Sequence, residues 1–205
     1  MNIILQGFEL LLGSASPRRH ELIFKMNLPY KVVKISVDES YPSDLVRQEI
    51  PEYLSRKKAL VFFRNLHSDQ ILITADTIVW NDDHALGKPR SREEAESMLR
   101  ELSARWHQVY TGVTLSHSRL QMTFSVCTEV YFENISEDEM TFYINDYKPY
   151  DKAGSYGMQE WLGIVKVREI RGSYTNVVGL PTAELYKNLR QFVVTVRQLE
   201  HEDAP

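Results

Sequence analysis

Ile71–Trp80 reads ILITADTIVW, and the fold turns on this stretch. It is an apolar run of strand length and is taken as a buried strand, with an ionisable side chain, Asp76, near its middle. Upstream, Pro51 opens a helix to about Asn65 that carries Leu54 and Phe62 on one face with Lys58 between them. Before it, Tyr30–Val37 is a strand followed by a turn-rich stretch from Asp38 to Asp44. Ser16 with Pro17 marks a helix start running through Leu22, Ile23 and Met26, and Phe8–Leu12, ending at Gly13, is a further short buried strand. Downstream, a turn at Asn81–His84 leads into Leu86-Gly87-Lys88-Pro89. Ser91 and Glu94 then form a capping box before the apolar stripe Ala95, Met98, Leu99 and Leu102. Val109–Leu115 and Leu120–Phe132 make a long hairpin, and Ser136 with Glu139 caps a helix to about Asn145. Ile164–Ile170 alternates like a strand, and Pro181 opens a terminal helix to about Gln198. Strands and helices in alternation predict a mixed α/β protein with strands of both directions.

Composition sets the outer bounds. A chain of 205 residues with 43% hydrophobic side chains is long and apolar enough to fold without a disulfide or metal staple, burying roughly 70% of its unfolded surface. The expectation is one domain of two lobes over residues 1–198, with 199–205 as a polar tail. The single cysteine, Cys127, excludes an internal disulfide framework and a cysteine-rich zinc site, and is expected as a small core residue. Lys and Arg number 24 against 28 Asp and Glu, a formal charge of −4, which argues against general nucleic-acid or acidic-membrane binding. Met1–Ser16 lacks a basic start and is interrupted by Gln6 and Glu9, so no signal peptide is read; no run is long enough to span a membrane, and a cytoplasmic protein is expected.

Four places could carry chemistry. Ser14-Ala15-Ser16-Pro17-Arg18-Arg19 lies where a strand hands over to a helix, and unpaired helix N–H groups beside two guanidinium planes suit phosphate oxygens. A solvated arginine pair beside an ordinary cap is the plain alternative. Asp76 sits in an apolar strand, where an unpaired carboxylate costs several kcal/mol; a rigidly mounted general base or metal ligand is one reason for it, a hydrogen bond to Thr74 or Thr77 another. Lys58, Lys88 and Lys152 could join Arg18 and Arg19 in a positive pocket within an acidic protein, as suits a polyphosphate ligand, although each alone reads more commonly as a snorkelling surface lysine. Finally, Ala153–Gln159 and Gly172–Pro181 are glycine-rich, and Gln159 carries both a donor and an acceptor for a base edge; two tight turns are the alternative. There is no Walker A spacing, HExxH, G-x-S-x-G or G-x-G-x-x-G.

SASPRR, LSRKKA, TADTIV, LGKP, DKAGSYGMQ and GSYTNVVGLP occur in this order, and with them the chain closely resembles the Maf family of nucleoside triphosphate pyrophosphatases over about residues 8 to 195. The resemblance implies an elongated α/β fold, like that of the inosine triphosphate pyrophosphatases: a long twisted mixed sheet flanked by helices, with a central cleft between two lobes. It also implies hydrolysis of a nucleoside triphosphate between the α and β phosphates, with a divalent cation, Mg²⁺ or Mn²⁺, as cofactor. Gly-x-Gln after Ser-Tyr looks like the branch acting on dTTP and UTP. By motif, Asp76 matches the base that activates water, and Ser14, Arg18, Arg19, Lys58 and Lys88 match phosphate-binding and catalytic positions. Glu39 matches a further acidic catalytic position beside the cation; the metal ligands themselves are not assigned. Arg18, Thr77 and Gln159 match places linked to substrate choice, and Lys152 lies in the motif before Gln159. Glu160 departs from the pattern, where glycine is more usual, and with Trp161 beside it the base pocket is expected to differ in shape.

Two rivals remain at this point: a pyrophosphatase preferring 7-methyl-GTP or other purine nucleotides, and a nucleotide-sensing cell-division regulator with little turnover. The partner expected in either case is a nucleoside triphosphate, with no nucleic acid and no membrane; assembly as a homodimer stays open.

Overall fold

The computed structural model describes residues 4–202 and extends ILITADTIVW by a residue at each end. In chain order the first elements are β1 (Glu9–Leu12), α1 (Pro17–Lys25), β2 (Tyr30–Val32), α2 (Glu49–Phe63), β3 (Gln70–Asn81), β4 (His84–Leu86) and α3 (Arg92–Leu102). They are followed by β5 (Trp106–His117), β6 (Leu120–Phe132), α4 (Glu137–Tyr147), α5 (Trp161–Lys166), β7 (Val167–Arg171), α6 (Tyr174–Val178) and α7 (Thr182–Glu202). The strands form one seven-stranded mixed sheet in the order β2-β1-β3-β5-β6-β7, with β4 also on β3. β2, β1 and β3 run parallel, while β4, β5, β6 and β7 join antiparallel.

Alternation along β3 divides the interior. Ile71, Ile73, Ala75 and Val79 enter the main core with α1, α3, α4 and α7. Ile78 and Trp80 face the other way and pack with Ile50 and Leu54 of α2 and with Tyr110. Helix α2 lies very close to the sheet because Gly112 is beneath it. A Cβ at that position would sit 2.5 Å from the Glu52 nitrogen and collide with the Pro51 backbone. Polar contacts fix the helix lengthwise: Thr74 Oγ1 donates to the Ser55 carbonyl at 2.7 Å, and the hydroxyls of Ser55 and Thr114 bond at 2.9 Å.

One expected capping box closes in full and the other by half, the Glu94 carboxylate taking the Arg90 N–H at 2.7 Å in place of that of Ser91. Ser91 Oγ accepts from the Glu94 N–H, and Ser136 and Glu139 cap each other reciprocally. Ser16 holds the N-cap position of α1, with Pro17 next, but its side chain does not cap; its N–H donates instead to Ser14 Oγ at 3.2 Å.

Several expectations need correction. β2 stops at Val32, not Val37, because its partner β1 ends at Leu12, which pairs with Val32. α2 starts two residues before Pro51, leaving the proline in the first turn, where its missing N–H costs nothing. Ile164–Lys166 belong to α5; the Ile164 N–H donates to the Glu160 carbonyl, and strand pairing starts only at Val167. The turn after Asn81 contains the short strand β4, and one glycine-rich segment contains α6, capped by Ser173. Cys127 is exposed rather than in the core: it pairs with Tyr110, on the sheet face that α2 covers only in part. α7 continues to Glu202, so only 203–205 of the expected tail lie outside the described residues.

Candidate active site

β3 has one edge fully paired and one edge interrupted. On one side β5 pairs with it continuously from Leu72 to Trp80. On the other, β1 pairs with Gln70–Ile73 and β4 with Val79–Asn81, leaving 74–78 without a strand neighbour. The gap lies just past the end of β1, where Gly13 starts the turn into α1, the kind of crevice at a strand's carboxyl end where α/β sheets bind ligands. A cleft of about 1100 Å³ opens there, and both Asp76 and Thr77 line it although they project from opposite faces of the strand.

Asp76 is nearly buried, at 8% exposure, and its carboxylate is hydrogen-bonded by the Lys58 ammonium from α2. Lys58 also donates to Glu39 at 2.9 Å, and Lys88 donates to the other Glu39 oxygen at 2.8 Å. Acid and base therefore alternate along one line: Asp76, Lys58, Glu39, Lys88. Partial burial pushes the Glu39 carboxyl up, but the hydrogen bonds and charges of Lys88 and Lys58 outweigh it and hold the group down at about 2.

Arg19 binds from the opposite face of β3. Its Nε donates to the Gly179 carbonyl at 2.8 Å and its Nη2 to Thr77 Oγ1 at 3.0 Å, while the Thr77 hydroxyl also bonds that of Thr111 at 2.9 Å. Arg18 lines the cleft and reaches Asp151 at 3.5 Å. Ser14 lines it too, its loop tied to α1 by the 2.7 Å bond between the Ser14 carbonyl and His20 Nε2.

The structure thus brings Ser14, Arg18, Arg19, Glu39, Lys58, Asp76, Thr77, Lys88 and Lys152 onto one cavity. Gln159 is not among its lining residues; it is exposed and stands within hydrogen-bonding reach of Glu21 on α1. Lys152 lines the cavity, but its ammonium is held between Asp151 at 2.6 Å and Glu160 at 2.8 Å. Reading by residue type overlooked Asp151, which links Arg18 to Lys152, and its position beside Lys152 was the available signal. It also overlooked the Gly179 carbonyl, a main-chain acceptor that side-chain chemistry does not reveal.

A hard divalent cation takes oxygen donors, and Glu39 and Asp76, which share Lys58, supply carboxylates within the cleft. Among the described residues no group of three His, Cys, Asp or Glu side chains is placed to cage a metal. That donor set fits Mg²⁺, which binds through one or two carboxylates with the rest of its shell from substrate phosphates and water.

A family model described as Maf-like protein matches residues 9–192. A dTTP/UTP pyrophosphatase of Bacteroides thetaiotaomicron is 47% identical over 188 residues, covering 91% of this chain and 97% of its own. Those of Phocaeicola vulgatus and Parabacteroides distasonis are 46% and 45% identical, covering 91% and 92% of this chain and 97% and 98% of their own. Among solved structures, a nucleoside-triphosphatase / dITP/XTP pyrophosphatase from Mycobacterium abscessus superposes over 96% of this chain and 99% of its own. The TM-score is 0.40 at 10% identity, too loose to bear on the site.

Proposed function

Since the chain belongs to the Maf-like protein family, we propose that it is a nucleoside triphosphate pyrophosphatase that hydrolyses dTTP and UTP to the nucleoside monophosphate and pyrophosphate. The observation that carries this reading is Asp76, a carboxylate mounted on a rigid strand at the unpaired stretch of β3, with Arg18, Arg19, Lys58 and Lys88 on the same cleft.

A triphosphate resists attack because its negative oxygens repel the nucleophile, so cationic groups must be in place before the chemistry starts. Arg18 and Lys88 offer donors to the cleft, and Arg19 is fixed by Thr77 and Gly179. In the proposed step Asp76 takes a proton from a water whose oxygen attacks the α-phosphorus. The bond from that phosphorus to the bridging oxygen breaks, and pyrophosphate leaves with the bonding electrons. Lys58 keeps the Asp76 carboxylate in one orientation throughout. A divalent cation held at Glu39 with the phosphates would neutralise charge on the triphosphate. Arg18, Thr77 and Gln159 are proposed to discriminate the base. Of these, Arg18 and Thr77 line the cavity and Gln159 does not. The enzyme is proposed to act on the cytoplasmic nucleotide pool.

The deciding assay is pyrophosphate release from dTTP, UTP, CTP, GTP and 7-methyl-GTP with Mg²⁺ or Mn²⁺. The expected outcome is fastest turnover of dTTP and UTP. Preference for 7-methyl-GTP would reassign the branch, and tight triphosphate binding without pyrophosphate release would overturn the enzymatic reading.

A further inference from the structure

Residues 151–153 and 156–158 line the cleft, and this wall is anchored by a residue outside the lining. Tyr143, wholly buried on α4, accepts a hydrogen bond from the Gly157 N–H at 3.0 Å and donates its own proton to a Glu160 oxygen. The other Glu160 oxygen meets the Lys152 ammonium at 2.8 Å. Lys152 meets Asp151 Oδ1 at 2.6 Å, and Asp151 Oδ2 faces Arg18 Nη1 at 3.5 Å. The charges alternate along the series, and its inner end is tightly packed: the Tyr143 ring lies in the core, and a Cβ on Gly157 would lie 2.7 Å from the Glu160 carboxyl carbon. At the outer end the Asp151 side chain is 63% exposed and that of Arg18 29%.

We propose that Glu160 is a positioning residue for substrate binding: by fixing Lys152 it fixes Asp151, and Asp151 in turn orients the Arg18 guanidinium at the cleft. Lys152 on this account supports the wall instead of touching phosphate. Without the Glu160 charge, Lys152 keeps Asp151 as its one carboxylate, draws it in, and Arg18 loses its orienting partner. Arrangements of this kind reveal themselves as coupling between distant residues, because the effect of the inner group passes through the outer one.

The proposal rests on the pyrophosphatase reading, and a double-mutant cycle tests it separately. Glu160→Gln preserves shape and removes charge; Tyr143→Phe removes the hydroxyl behind it. Each is expected to raise KM for UTP roughly three- to tenfold, the scale of one weakened charge-assisted hydrogen bond, with kcat within about twofold. In an Arg18→Ala background, Glu160→Gln is expected to change KM no further. Additive effects of Glu160→Gln and Arg18→Ala, or an unchanged KM in Glu160→Gln, overturn the proposal; a purely structural Glu160 would lower the melting temperature and act additively. The same cycle read as the Kd of a UTP analogue with a methylene between the α and β phosphorus atoms separates the two ideas. Analogue binding by a wild-type protein that releases no pyrophosphate removes the enzymatic reading and leaves the Glu160 proposal to be judged on Kd. A wild-type protein that binds no triphosphate removes both.

Discussion

The two edges of β3 are built from the same twelve residues and do opposite work. Along one, β5 pairs continuously, and α2 is pressed onto the sheet through Gly112 and the Ser55–Thr114 contact. Along the other, pairing passes from β1 to β4 with a break at 74–78, and in that break sit Asp76 and Thr77. The paired edge provides the rigidity, and the break provides access. A carboxylate held to a fraction of an ångström needs the first and a ligand needs the second, so the two edges are interdependent.

The open edge is broken most severely by Asp76→Asn. Turnover of dTTP and UTP is expected to fall by roughly 10²–10⁴ with KM changed little, since the amide cannot accept the water proton while the phosphate contacts remain. Steady-state kinetics on the folded variant check this, and near-wild-type kcat would remove Asp76 from the role of base. Next in size, Gly112→Ala strikes the paired edge. A methyl group there has to push α2 off the sheet, at a cost of about 1–3 kcal/mol and a melting point lowered by several degrees. Because Lys58 rides on α2, activity should fall as well at temperatures where the variant stays folded; calorimetry with parallel assays tests the pair, and an unaltered melting point would show that the close approach is not needed. The smallest effect concerns pH. Glu39 titrates near 4.5 when unfolded and near 2 when folded, so its stabilising contribution is complete above the higher value and is lost as pH falls through the lower. Glu39 is half-exposed, which makes the contribution small. Urea unfolding of wild type and Glu39→Gln from pH 5 to pH 2 should show a gap that closes on acidification; a gap independent of pH would contradict it.

What sequence reading captured follows from range. β3, the hairpin strands β5 and β6, and α3 and α4 are written in local patterns, apolar runs and caps whose partners lie within four residues. Asp76 stood out because a carboxylate in an apolar strand demands compensation, and the compensating Lys58 lies 18 residues upstream. β4 and α6, three and five residues long, take their form from β3 and from the Ser173 cap, and propensity over so few residues says little. Ile164–Lys166 misled because apolar and polar residues alternate there over a distance too short to separate the two periods. Glu39 is visible only through family likeness: it lies in an irregular stretch, and both its lysines come from elsewhere in the chain. The Arg19–Gly179 and Arg18–Asp151 contacts span 160 and 133 residues, beyond any local pattern.

Because Asp76 and Thr77 are chain neighbours that reach one hollow from opposite sides of a strand, the proposed base and a residue proposed to choose the nucleotide are one peptide unit apart and yet have separate surroundings. Substitutions at Thr77 and Thr111 would therefore be felt first by Arg19 and the Asn176 carbonyl, on their own face of the sheet, and only then by what packs around Asp76 and α2. On the proposed roles, a change of base preference made there also loosens Arg19, so specificity and phosphate binding would shift together within a single layer of the protein.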